Sequence, residues 1–250
     1  GLFVDDPARI RTFLAQAEQL CPVRVIDYNR AEKSFDNSIF YDSFVTGLCQ
    51  AMDLPESARQ ALLVDANLAM QTLDERGLSP YRTFDSISRF AELLSKSRGE
   101  AFCPRITACR LTEETSLTLI EPPCGSNTAI LTHGDDVLFL DSGYACYERE
   151  MLALFRQLVP DFDRRKKTIL VTHADVDHCG LLPVFDEILV SAKSAQCLRL
   201  EAAGQDGFRE QNPLHKPYIQ ICKLLTGYCP APTERLRIRW GDLAPLSCPL

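Results

Sequence analysis

Four side chains in one short run have the chemistry to hold metal ions: His173, Asp175, Asp177 and His178, within Thr172-His173-Ala174-Asp175-Val176-Asp177-His178-Cys179-Gly180. Imidazole nitrogens and carboxylate oxygens suit zinc, iron or manganese. So many donors so close together suit two ions side by side. In an irregular loop His173 and Asp175 can turn to one ion, and Asp177 and His178 to a second. Small Ala174 and Gly180 let the backbone crowd the metals. The plainer alternative is a polar loop with surface histidines and capping aspartates. Against it, the chain has 4 histidines in all, and two of them fall here, directly after the apolar run Ile169-Leu170-Val171.

The elements around this run read as an α/β or α+β arrangement. Thr168 to Thr172 forms a short buried strand, and the loop at its C-terminal end is where α/β folds commonly place functional groups. A helical turn follows through Leu181 and Leu182, then a strand over Ile188 to Val190 and a helix over Ala192 to Ala203. Upstream, Ile106 to Leu111 and Ser116 to Glu121 pair as strands. Asn127 to Thr132 and Val137 to Leu140 make a hairpin around His133-Gly134-Asp135-Asp136. Glu148 to Leu158 is an amphipathic helix stopped by Pro160. Downstream, Arg235 to Trp240 reads as a strand.

Residues 1–100 read as a mainly helical region. A helix from Asp6 to about Leu20 is followed by a short strand, Val23 to Tyr28. Further helices cover Ser38 to Met52, Pro55 to Gly77, and Ser79-Pro80 to about Gly99. No catalytic constellation appears there. The expected division is a helical region over 1–100 and a second domain over 101–250.

Composition narrows the function classes. Of 250 residues, 46% are hydrophobic and 24% charged, the balance of an ordinary globular protein. The formal net charge of -7 offers no basic field for nucleic acid. Arg164-Arg165-Lys166-Lys167 reads as a solvated connection. The 11 cysteines include no C-x-x-C pair and read as free thiols in a reducing cytoplasm. There is no signal-peptide pattern and no apolar run long enough to span a membrane. The opening Gly1 suggests a trimmed start. The expected setting is cytoplasmic.

The run at 173–178 resembles the H-x-H-x-D-H motif of the metallo-β-lactamase fold. The resemblance extends upstream to Ser126-Asn127-Thr128-Ala129-Ile130 and to Val137-Leu138-Phe139-Leu140-Asp141-Ser142-Gly143, which look like the family's opening strands and its D-[ST]-G turn. It covers the chain from about residue 104 onward. One departure is informative: the family's second histidine is Asp175 here. That form looks like the branch containing the competence-protein hydrolase domains. An acidic residue, there glutamate, also occupies this place in flavodiiron proteins.

The resemblance implies an αββα sandwich, incomplete in this chain. It implies a metal-dependent hydrolase with two divalent ions, zinc foremost, iron or manganese also compatible. His173 and Asp175 would bind the first ion, Asp177 and His178 the second. Water bound there would be acidified far enough to ionise near neutral pH and would attack an ester, amide or phosphodiester centre of a small-molecule or ester-type substrate. Asp177 would orient the nucleophile. Asp141 either supports the ligands or is purely structural.

The family completes its site with later ligands. Beyond Gly180 the chain offers one histidine, His215, in a proline-flanked stretch that reads as a loop or lid. Later aspartates are Asp186, Asp206 and Asp242, the last in an apparent turn. The expectation is therefore an N-terminal part of a longer domain, completed by a further segment or a second chain. Cys179 reads as small-residue packing and His133 as solvent-facing. Two rival functions stand beside the hydrolase: a non-catalytic binding or scaffold protein on a degenerate hydrolase fold, and a flavodiiron-like redox protein.

Overall fold

A computed structural model describes residues 38–78, 80–205 and 215–240. The expected helix at Asp6–Leu20, the strand at Val23–Tyr28, and Asp206 and Asp242 lie outside the described residues. The chain divides into two compact units, 1–92 and 93–250.

The first unit holds α1 (Ser38–Met52), α2 (Glu56–Glu75) and most of α3 (Pro80–Lys96). Pro55 and Pro80 stand at helix starts, where proline's missing N–H costs nothing. On α2, Leu62, Ala66, Ala69, Met70 and Leu73 repeat at helical spacing and are buried. Phe44 meets Phe84 edge-on at 4.6 Å between centroids, which ties α1 to α3.

The second unit is built on one seven-stranded mixed sheet. Its strands are β1 (Arg105–Arg110), β2 (Thr115–Glu121), β3 (Thr128–His133), β4 (Asp136–Leu140), β5 (Thr168–Leu170), β6 (Glu187–Ser191) and β7 (Leu236–Trp240). Their spatial order is their order in the chain. β1 to β4 pair antiparallel; β4 to β7 pair parallel. Between β3 and β4, His133 pairs with Asp136 across Gly134, whose φ of 55° supplies the turn. The parallel pairs need longer crossovers. These carry α4 (Glu148–Leu158), α5 (Ala192–Ala202) and α6 (His215–Thr226).

Register puts Ile130, Phe139, Ile169 and Ile188 in one row on one face of the sheet. All are buried. α4 covers that face. Glu148 and Glu150 in its first turn and Arg156 in its last suit the helix dipole. Met151 and Phe155, four residues apart, face inward, and Phe139 packs edge-on against Phe155, Phe162 and Phe185 at 5.0, 6.0 and 5.2 Å. On the opposite face Leu119, Ala129, Leu131, Leu138, Leu140, Leu170 and Leu189 are half-buried. The strands are thus apolar on both sides, as strands of sheets covered on both faces are. The mixed sheet with its helices is the expected α/β class.

α6 departs from expectation: His215 opens a helix instead of lying in a loop or lid. Pro217 falls in its first turn, where no intrahelical N–H bond is lost.

Thr128 is fully buried on β3 and its hydroxyl has no hydrogen-bond partner among the described residues. An unsatisfied buried hydroxyl is a cost. Thr128→Val is expected to leave stability unchanged or raise it by about 1 kcal/mol, read by urea denaturation. A loss of stability would mean that the hydroxyl has a partner.

Candidate metal centre

The loop that follows β5 is clamped, backbone to backbone, against the turn that follows β4. Ser142 N–H donates to the carbonyl of His178 at 3.0 Å, and Gly180 N–H to that of Gly143 at 3.0 Å. The fully buried Ser142 hydroxyl donates to the same His178 carbonyl at 3.1 Å and accepts from Leu181 N–H at 3.0 Å. The approach is so close that a Cβ on Gly180 would lie 2.3 Å from Ala145 N and 2.3 Å from the Gly143 carbonyl. Gly143 itself sits at φ 70°, and a Cβ there would meet the Ser126 carbonyl at 3.0 Å. Two non-glycine residues beside it, Asp141 and Ser126, are also left-handed, at φ 54° and 63°. Asp and Ser are not the residues that take this conformation for free, so the surrounding contacts hold it.

Those contacts converge on the metal-type side chains. Asp141 Oδ2 accepts from His178 Nδ1 at 2.8 Å and from the Thr172 hydroxyl at 2.7 Å, while Oδ1 accepts from Thr172 N–H at 2.8 Å. Asp141 thus anchors the His178 ring to the end of β5. Burial works against ionising Asp141, but the bonds from His178 and Thr172 outweigh it and hold the carboxyl below its ordinary range. The Asp141 bond in turn raises His178 above the usual imidazole value against the opposing effect of burial, with help from Asp177.

His173, Asp175, Asp177 and His178 come together as two pairs. His173 Nε2 lies 3.3 Å from Asp175 Oδ2, and His178 Nε2 lies 3.5 Å from Asp177 Oδ2. The two rings lie with centroids 4.0 Å apart, tilted 48° to one another. The first pair is open, with side chains 52% and 54% exposed; the second lies deeper, at 24% for His178 and 35% for Asp177. Two ligands each about 2.1 Å from a tetrahedral ion stand roughly 3.4 Å apart. Each nitrogen–oxygen pair therefore fits the bite of one ion. Among the described residues no group of three or more His, Cys, Asp or Glu converges on a single point. The donors here form two candidate half-sites.

Ser126 was not singled out from the sequence as a site residue. Its hydroxyl donates to Asp177 Oδ2 at 3.1 Å. The contact spans 51 positions in the chain, and no local pattern announces it. Cys179 is buried and packs as a small residue, its thiol 3.6 Å from the His173 carbonyl. His133 is 61% exposed at the β3–β4 turn, with Nδ1 2.8 Å from the Thr115 hydroxyl. Asp186 accepts from Lys167 N–H at 2.8 Å, before β5 begins and therefore at the end of that strand away from the loop.

Residues 122–193 match the family model of the metallo-beta-lactamase superfamily. The match takes in Ser126, the Asp141-Ser142-Gly143 turn and the whole loop from His173 to Gly180. It is shorter than the span from residue 104 onward over which the sequence resembles that family. No curated protein matches the chain.

Proposed function

We propose, on the premise that residues 122–193 carry a metallo-β-lactamase superfamily signature, that this protein is a hydrolase working through two divalent metal ions. The observation that supports it is the pair of nitrogen–oxygen bites at 3.3 and 3.5 Å on one loop. His173 and Asp175 would hold one ion, and Asp177 and His178 the other. Zinc suits the imidazoles; the carboxylate at Asp175 makes iron or manganese compatible as well. Ions so placed would acidify water and polarise an electrophilic carbonyl or phosphoryl group. The chain's own part is positional. Ser126 fixes one oxygen of Asp177, which orients that carboxylate beside the reacting centre. Asp141 fixes His178. The clamp between the two loops keeps all four donors at one strand end.

The substrate class we infer is a small-molecule or ester-type compound, on the resemblance of the loop to metal-dependent hydrolases. No helix among the described residues is long and apolar enough to cross a membrane. The described residues hold nine cysteines and no disulfide, which suits the reducing compartment, such as the cytoplasm, that we infer.

Elemental analysis of protein purified without chelator tests the reading. One to two equivalents of transition metal are expected, with ester hydrolysis lost on chelation and restored by zinc or manganese. A second reading, a non-catalytic scaffold on this fold, draws on the lack of a converging triad among the described residues. Protein that stays metal-free at every stage of purification, and remains so after soaking with zinc and manganese, would favour the scaffold.

A further inference from the structure

We propose that Thr172 and Asp141 act as a relay that sets the tautomer of both loop imidazoles, so that each presents a bare Nε2 to its neighbouring carboxylate. The argument is one of proton counting. An ionised carboxylate only accepts hydrogen bonds. His178 Nδ1, 2.8 Å from Asp141 Oδ2, must therefore carry its proton. The Thr172 hydroxyl, 2.7 Å from the same oxygen, must donate to it. A hydroxyl has a single proton, and this one is spent. Toward His173 Nδ1, 3.0 Å away, the same hydroxyl can then only accept. So His173 also carries its proton on Nδ1. Thr172 N–H, bonded to Asp141 Oδ1 at 2.8 Å, holds the relay in register with the end of β5.

The consequence falls on the other nitrogens. In the neutral rings both Nε2 atoms are lone-pair acceptors, and they face Asp175 and Asp177 oxygens at 3.3 and 3.5 Å. Two acceptors at that separation repel unless a proton or a cation lies between them. One buried carboxylate thus prepares both half-sites for cations, directly for His178 and through Thr172 for His173. Thr172 is a positioning residue. The link to metal rests on the function proposed above; the tautomer assignment stands without it.

Nitrogen NMR on the metal-free full chain, labelled with 15N-histidine at a pH where the rings are neutral, reads the tautomers directly. His173→Gln and His178→Gln variants assign the signals. Both rings are expected as Nδ1–H. Thr172→Val, close in shape but without the hydroxyl, should release His173 toward the Nε2–H form while His178 stays as it was. Thr172→Ser should restore His173. Thr172→Ala serves if the valine variant folds poorly. Zinc affinity by chelator competition should fall about 10- to 100-fold in Thr172→Val and recover in Thr172→Ser. Wild-type His173 in the Nε2–H form, or a His173 signal unmoved in Thr172→Val, overturns the relay. Expected tautomers in a protein that binds no zinc would leave the relay standing and overturn the hydrolase reading.

Discussion

Gly180→Ala abolishes cooperative folding of the second unit or, at the least, costs it about 3 kcal/mol or more. The added methyl would lie 2.3 Å from two backbone atoms and 2.6 Å from a third, at Gly143, Tyr144 and Ala145. Side chains can rotate out of a clash, but backbone clamped by hydrogen bonds on both sides cannot. Relief requires the loop after β5 to lift off the turn after β4. That breaks the bonds from Ser142 N–H to His178 and from Gly180 N–H to Gly143. Urea denaturation followed by near-ultraviolet circular dichroism measures the loss. Gly204→Ala is the control: φ there is 71° and nothing lies within 4 Å of the added methyl. It should cost only the strain of a left-handed alanine, about 1 kcal/mol. If Gly180→Ala costs no more than its control, the two loops are not packed as described.

His178→Ala should remove metal from the deeper half-site while the fold survives. The survival follows from which atoms do the structural work. The His178 carbonyl, not its ring, accepts the two Ser142 bonds, and that carbonyl remains in the variant. Asp141 keeps both of its Thr172 contacts. The ring supplies one of the two donors of its pair, so affinity should fall by more than the roughly 10- to 100-fold typical of losing a supporting partner. Elemental analysis and chelator competition give the readout, with the denaturation midpoint as a check on folding. Full metal loading in this variant would remove His178 from the ligand set.

The two helices that matched their expected spans, Ser38–Met52 and Glu148–Leu158, declare themselves locally. Glu148 to Leu158 has an apolar stripe, acids first and a proline after it. The position of the His173–His178 loop was equally legible, because it follows directly on the short apolar strand β5. α6 was not, since the two prolines flanking His215 suggest a loop until one sees that a helix's first turn accepts Pro217. Ser126 and the roles of Asp141 and Thr172 depend on contacts between distant stretches: 51 positions for Ser126 to Asp177 and 37 for His178 to Asp141. Local periodicity carries no trace of such pairs. Nor does composition reveal that Asp141 and Ser126 sit in a left-handed conformation, because that is imposed by the packed turn around them.

The strand order of the sheet has a kinetic meaning. Each strand lies beside the one made just before it, so each new strand finds its first partner already made. The antiparallel half, β1 to β4, closes through short turns and can zip together early, at little cost in loop entropy. Each later parallel strand joins only after its crossover has been laid down. Growth of the sheet therefore runs in the direction of synthesis. The clamp at Gly180, which needs both the turn after β4 and the loop after β5, marks the step from fast local assembly to slow docking.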